Sequence, residues 1–264
     1  MRIKVYIVTY NNDEVLKKNL NLLYTSDLTA YDYSIHIINN YSIIKNLYPY
    51  VESDRFIILN DSVRPDFSNG HLARSWNAAL MDGFVDLNNP QSDLVVLMQN
   101  DTFVKPHCFY NLVQEHKKYD FIQLGAGDQF MSFNVDAVKK IGMFDERFCS
   151  IQYQEADYFM AGMAFNRNRI SINDRIAHER EWNAIDGVFE NFIESDYALN
   201  GEFHLHKWSP MNRNLFFKKW NCDPQNWYQY ISNYSPKPLI DRYFTYPYFE
   251  KDILTLDEQN YNKI

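Results

Sequence analysis

The sequence predicts an α/β protein built on a sheet with helices on both faces. Short apolar, β-branched runs end repeatedly in polar turn residues, as at Ile3–Thr9, Tyr33–Ile38 and Arg55–Leu59. Segments with helical apolar spacing stand between the runs. The run Leu94–Met98 is apolar at every position, the pattern of a strand covered on both faces. Strands alternating with helices require crossover connections, and ligands of such sheets bind beyond the carboxyl ends of the strands.

The elements follow in order. Ile3–Thr9 is the first strand, and Tyr10-Asn11-Asn12-Asp13 turns the chain. Asp13 caps a helix whose apolar face is Val15, Leu16, Leu20, Leu22 and Leu23. The second strand, Tyr33–Ile38, closes in Asn39-Asn40-Tyr41-Ser42, and the third, Arg55–Leu59, closes in Asn60-Asp61-Ser62. Leu72, Trp76, Ala79, Leu80 and Phe84 lie on one helical face. Leu94–Met98 then ends in Gln99-Asn100-Asp101-Thr102. Phe121–Leu124 and Gln129–Phe133 read as strands, and Asn134 caps a helix to Ile141. A helix covers Gln154–Phe165, a strand lies near Arg169–Ile172, and another runs over Asp174–Ala177. From about Gly201 five prolines and many aromatics interrupt the pattern. The expected division is a catalytic domain over residues 1–200 and a helical or irregular appendage over residues 201–264, packed on it.

Composition narrows the function. The 264 residues carry 26 basic and 34 acidic side chains, a net charge of −8. An acidic chain does not suit duplex nucleic acid, whose phosphates need a basic surface. No apolar run approaches the ~20 residues of a membrane span, and Arg2-Ile3-Lys4 leads straight into a strand without a leader pattern. Cys108, Cys149 and Cys222 are odd in number and widely spaced, neither a disulfide framework nor a CxxC zinc pair. These features point to a cytoplasmic protein. Oligomeric state is not legible.

Phosphate-loop signatures are absent. There is no GxxxxGK[ST] segment, and Phe130 stands where Gly125-Ala126-Gly127 would need its third dinucleotide-binding glycine. The chemistry lies elsewhere. Asp101, just past the apolar strand, can present a carboxylate to a divalent cation bridging two phosphates, since Mg²⁺ and Mn²⁺ favour oxygen and take few ligands from protein; it also suits a local turn. Glu155 and Asp157 stand two apart at a helix start, where acids also suit the helix dipole. His178 can ligate a metal and Arg180 can hold a diphosphate. His204 and His206 alternate without a third ligand.

Taken together these segments resemble a GT-A fold glycosyltransferase of the large inverting family two. The residues that carry the resemblance are Val8-Thr9-Tyr10-Asn11, Asn39-Asn40-Tyr41-Ser42, Asn69-Gly70 with Ala73-Arg74, and Gln99-Asn100-Asp101 in place of Asp-x-Asp. Gly142-Met143-Phe144-Asp145-Glu146-Arg147-Phe148 resembles Gly-x-Phe-Asp-Glu-x-Phe, and Gln154-Glu155-Ala156-Asp157 resembles Glu-Asp-x-Asp. His178 matches a late metal histidine, and Phe217-Lys218-Lys219-Trp220 resembles a Lys-Trp segment that follows the catalytic domain. The resemblance spans about residues 3 to 220. It departs at Gln99, Asn39 and Gln154, which replace acids.

The resemblance implies a Rossmann-like nucleotide-binding sheet and an inverting, metal-assisted transfer of sugar from a nucleotide-sugar donor to a glycan or glycoconjugate acceptor. It implies a Mn²⁺ or Mg²⁺ ion on Asp101 and His178. Thr9, Tyr10, Asn11, Asn39, Arg74, Asn100 and Arg180 are expected to bind the donor. The general base is Glu155, with Asp157 second. Two other functions stay open: a non-catalytic glycan- or nucleotide-binding module of the same fold, and a nucleotidyltransferase, for which the lysine- and glycine-rich loop is missing.

Overall fold

Alternation along the strands separates two cores. In the first strand, β1 (Arg2–Thr9), Ile3, Val5 and Ile7 enter one core, and Tyr6 and Val8 the other. In β4 (Leu94–Gln99), Leu94, Val96 and Met98 alternate in the same way with Val95 and Leu97. All of these side chains are buried, as a sheet covered on both faces requires. The computed structural model describes residues 1–9, 13–40, 55–61, 71–125, 127–148, 152–174, 193–195 and 209–227.

The other strands are β2 (Asp32–Asn40), β3 (Phe56–Asp61), β5 (Thr102–Val104), β6 (Phe121–Gly125), β7 (Phe130–Phe133), β8 (Ile170–Asp174) and β9 (Ile193–Ser195). The helices are α1 (Asp13–Thr25), α2 (His71–Phe84), α3 (Cys108–Glu115), α4 (Val135–Ile141), α5 (Gln154–Phe165) and α6 (Ser209–Trp220). Seven strands form one sheet in the order β3-β2-β1-β4-β7-β6-β8, and β5 pairs with β9 beside it. β3, β2, β1 and β4 are mutually parallel. β7 runs antiparallel to both β4 and β6, and β8 is parallel to β6.

Side chains of α1 and α3 fill one core, and those of α2, α4, α5 and α6 the other. Strand order reverses at β1, with β2 and β3 on one side and β4 on the other. A crevice is expected at the carboxyl ends there.

Most elements fall where expected, with four differences. The second strand continues through Asn39 and Asn40, because both pair in register with Asn60 and Asp61 of β3. β7 is antiparallel, since residues 126–129 are too few for a crossover. The short β5 and β9 and the helix α3 were not expected, whereas α6 lies within the helical or irregular appendage expected from residue 201. The strand predicted over Asp174–Ala177 is the end of β8 as far as Asp174. Its continuation, most of the C-terminal appendage, and Tyr41, Ser42, Asn69, Gly70, Cys149, His204 and His206 lie outside the described residues.

Candidate functional site

The carboxyl ends of β1, β2 and β4 bring three predicted donor residues to one edge. Thr9 and Asn39 are register partners across β1 and β2. Asn100 Nδ2 donates to Thr9 Oγ1 at 3.1 Å, joining β4 to β1 at the point where strand order reverses. Asn19 of α1 secures this corner by donating to the carbonyl of Asn100 at 3.2 Å. Thr9, Asn39, Asn100 and Asp101 are all buried. Tyr10, Asn11, His178 and Arg180 lie outside the described residues.

The Gly142–Phe148 segment is explained side chain by side chain. Asn77 of α2 donates to the carbonyl of Phe144 at 2.9 Å and accepts from its N–H at 2.8 Å. The same Asn77 amide reaches Glu146 at 3.0 Å. Arg74 lies 3.7 Å from the other Glu146 oxygen, its side chain nearly half exposed. Arg74 is therefore held near the surface by Glu146. Asp145 receives Arg147 Nε at 2.7 Å and Lys219 Nζ at 2.9 Å.

Lys219 is the centre of a buried ionic cluster. Its ammonium is fully buried and also donates to Asp157 at 2.8 Å, while Trp220 Nε1 donates to Asp157 Oδ1 at 2.7 Å. Burial works to raise Asp145, but Lys219 and Arg147 outweigh it and hold this carboxyl below the usual range. Asp157 moves the other way: burial raises it, the adjacent Asp145 charge adds to that, and the shared lysine does not compensate. Both Asp157 oxygens thus serve to dock α6 against the first turn of α5.

That first turn is strained. Gln152 and Tyr153 adopt φ of 89° and 69°, a left-handed conformation unusual outside glycine. Two such residues in succession cost on the order of 1–3 kcal/mol each and persist only where surroundings over-determine them. Asn212 of α6 supplies part of that constraint, donating to the carbonyl of Gln152 at 3.1 Å. The turn places Glu155, half-buried, against the Gly125–Asp128 loop. A Cβ built on Gly127 would lie 3.4 Å from Glu155 Cγ.

Reading the sequence alone missed one site residue, Asp128. It is buried and accepts hydrogen bonds from Trp76 Nε1 at 3.0 Å, from Gln154 Nε2 at 3.2 Å, and from Gln99 Nε2. Burial pushes its carboxyl up, against the pull of these donors. The loop that carries it is built by Gln123, which donates to the carbonyls of Gly125 and Gly127 at 2.8 Å each. Gly125 and Gly127 both have positive φ. The available signal was an acid one residue past a glycine pair.

Among the described residues no three His, Cys, Asp or Glu side chains come together as a metal cluster. Asp128 is engaged on both oxygens, Oδ1 by Gln99 and Oδ2 by Trp76 and Gln154. Asp101, a buried carboxylate at the end of β4, has the chemistry of a hard-cation ligand.

No protein-family model matches the sequence, and no curated protein matches it. Among solved structures the chain is similar to the crystal structure of S. aureus TarS residues 1–349, with a TM-score of 0.50 and 14% identity over 66% of this chain and 58% of that one. The mannosyltransferase PcManGT from Pyrobaculum calidifontis, in complex with GDP-Man and Mn²⁺, matches with a TM-score of 0.47 and 12% identity over 66% and 55%. TarS 1–349 in complex with UDP-GlcNAc matches with a TM-score of 0.46 and 14% identity over 66% and 56%. The chain thus spans less than two thirds of the length of these proteins. No described helix is long and apolar enough to cross a membrane. The strand order, with its reversal at β1 and its antiparallel β7, and the likeness to TarS show that this chain has the GT-A fold.

Proposed function

We propose that this chain is a glycosyltransferase. It moves a sugar from a nucleotide-sugar donor to a hydroxyl of a glycan or glycoconjugate acceptor, with inversion at the anomeric carbon and with help from Mn²⁺ or Mg²⁺. A cytoplasmic setting belongs to the same reading, supported by free, buried Cys108 and Cys222. One observation carries it: the strand end bearing Asp101 and the helix start bearing Glu155 meet at the carboxyl edge, joined through Gln99, Asp128 and Gln154.

In this reading the nucleoside lies over Thr9, Tyr10, Asn11, Asn39 and Asn100. Asp101 and His178 would hold the cation, which when bound neutralises charge on the leaving diphosphate. Arg180 and Arg74 add positive charge near the phosphates. Glu155 takes the proton of the acceptor hydroxyl as its oxygen bonds to the anomeric carbon. The bond from that carbon to the diphosphate breaks, and the electron pair leaves with the nucleotide. A positioned base contributes typically ~10²–10⁴-fold. Glu155 is preferred over Asp157 because both Asp157 oxygens are engaged by Lys219 and Trp220.

The test is a panel of UDP-, GDP- and dTDP-sugars, with and without Mn²⁺, assayed for transfer and hydrolysis. One donor should be consumed in a metal-dependent way, and Asp101→Ala should abolish turnover while leaving the melting curve intact. Nucleotide binding without turnover of any donor would instead support a non-catalytic module.

A further inference from the structure

We propose that Asp128 is a positioning residue: it dictates which end of the Gln99 and Gln154 amides points away from it, and so sets the polarity that half-buried Gln99 presents at the end of β4. The catalytic consequence rests on the transferase reading above; the positioning itself does not.

Two replacements in this sequence point to that role. The resemblance expects acids at positions 99 and 154, the first acid of each motif, and this chain has amides at both. The two amides come from different elements, the end of β4 and the first residue of α5. Both donate to the same buried carboxylate. A carboxylate only accepts, so each amide must turn its NH₂ toward Asp128 and its carbonyl oxygen away. An acid at 99 or 154 would set two carboxylates in contact in a dry site, where both cannot stay ionised. The acid at 128 and the amides at 99 and 154 are therefore one matched set.

The oxygens of Asp128 divide the work. Oδ1 takes Gln99, and Oδ2 takes Trp76 and Gln154. This division allows a reversal of the contact that keeps all three hydrogen bonds at residue 128. In the double variant Gln99→Glu with Asp128→Asn, the amide NH₂ introduced at position 128 stands where Oδ1 stood and donates to the carboxylate introduced at position 99, while its carbonyl replaces Oδ2. An oxygen of residue 99 again points away from residue 128. In Asp128→Asn alone, the Gln99 amide must flip to accept, and it presents N–H where its carbonyl stood. Packing survives, but the polarity of that surface is inverted.

The experiment uses the full chain, with the wild type, Asp128→Asn, Gln99→Glu and the double variant. Melting temperature, kcat and KM for the donor that the wild type consumes, and the side-chain amide resonances of ¹⁵N-glutamine-labelled protein are measured. Asp128→Asn should lower kcat about 100-fold, the scale of a small misplacement at a reacting centre, with donor KM within about threefold and little loss in melting temperature. Gln99→Glu should fall similarly, and the double variant should return to within about fivefold of the wild type. In Asp128→Asn the Gln99 amide signal, identified by its loss in Gln99→Glu, should shift. An unchanged kcat in Asp128→Asn, or a double variant as impaired as the singles, overturns the proposal. If the wild type consumes no sugar nucleotide, the transferase reading fails and the amide signals decide: an unshifted Gln99 signal in Asp128→Asn overturns the positioning role.

Discussion

Glu155 and Asp157 differ by two positions along one helix turn and by everything in environment. Asp157 is tied on both oxygens to a buried ammonium and an indole, whereas Glu155 faces the glycine loop. Glu155→Gln is therefore expected to keep nucleotide affinity within about threefold and to lower single-turnover transfer by ~10²–10⁴-fold. Asp157→Asn should act first on melting temperature. Titration with nucleotide beside single-turnover transfer separates the two, and near-normal transfer by Glu155→Gln would return the base to another group. Thr9, Asn39, Asn100 and Asp101 were legible in the sequence because each ends or follows a strand, and strand ends of a parallel sheet share an edge. Asp128 was not. Its donors come from positions 76, 99 and 154, and no local spacing announces three N–H groups converging on one acid. Lys219 was legible only as part of a Lys-Trp pair; that it bridges Asp145 and Asp157 appears only when α6 is docked.

At the scale of elements, two contacts predict measurable losses. Lys219→Met leaves Asp157 buried without its ammonium partner, a change that typically costs about 3–5 kcal/mol. Denaturant titration should show it as a shift in midpoint, and an unchanged midpoint would mean that α6 does not depend on the cluster. Gly83, in the last turn of α2, has no room for a side chain, because a Cβ there would collide with Val95 of β4. Gly83→Ala should destabilise by about 1–3 kcal/mol through overpacking, and Val95→Ala in the same chain should recover part of the loss. Amphipathic helices and fully apolar strands were readable, since period and burial coincide there. The strand β5, three residues long, was not, and neither were the bounds of α6, because its buried face, Asn212, Phe216, Lys219 and Trp220, mixes polar with apolar residues. α6 is held in place by Phe216, Trp220 and the Lys219 ion cluster instead.

For the whole molecule, buried titratable groups set an acid limit. His116 is buried, donates from Nδ1 to the Tyr119 carbonyl and accepts the Ser132 hydroxyl at Nε2, as a neutral imidazole does. Burial lowers it from 6.5 to about 4, and burial lowers His36 to about 4 as well. A histidine with a depressed folded pKa binds protons more readily when unfolded, so stability rises with pH across the window from about 4 to 6.5. For His116 the full window is worth about 3 kcal/mol. Below it, the fully buried Asp120 takes over: burial works to raise it, but Arg169, Lys140, Asn166 and Asn134 hold it well below the usual range. Its contribution is complete above the unfolded carboxylate pKa of ~3.9 and disappears as pH falls toward the folded value. The histidine contribution to melting temperature should therefore climb from pH 4 to 6.5, opposed by the raised carboxyls of Asp128 and Asp157, and the wild type should gain on His116→Asn across that window. The hydrogen bond from Asn212 to Gln152 carries a consequence for biosynthesis. The helix start at Glu155 is braced by a segment translated more than fifty residues later. The growing chain can lay down its sheet while still on the ribosome, but this corner cannot acquire its final shape until residues 209–220 emerge from the exit tunnel. The last brace thus arrives as a late event of synthesis, and a nascent chain halted before that point would carry a formed sheet with the start of α5 unbraced.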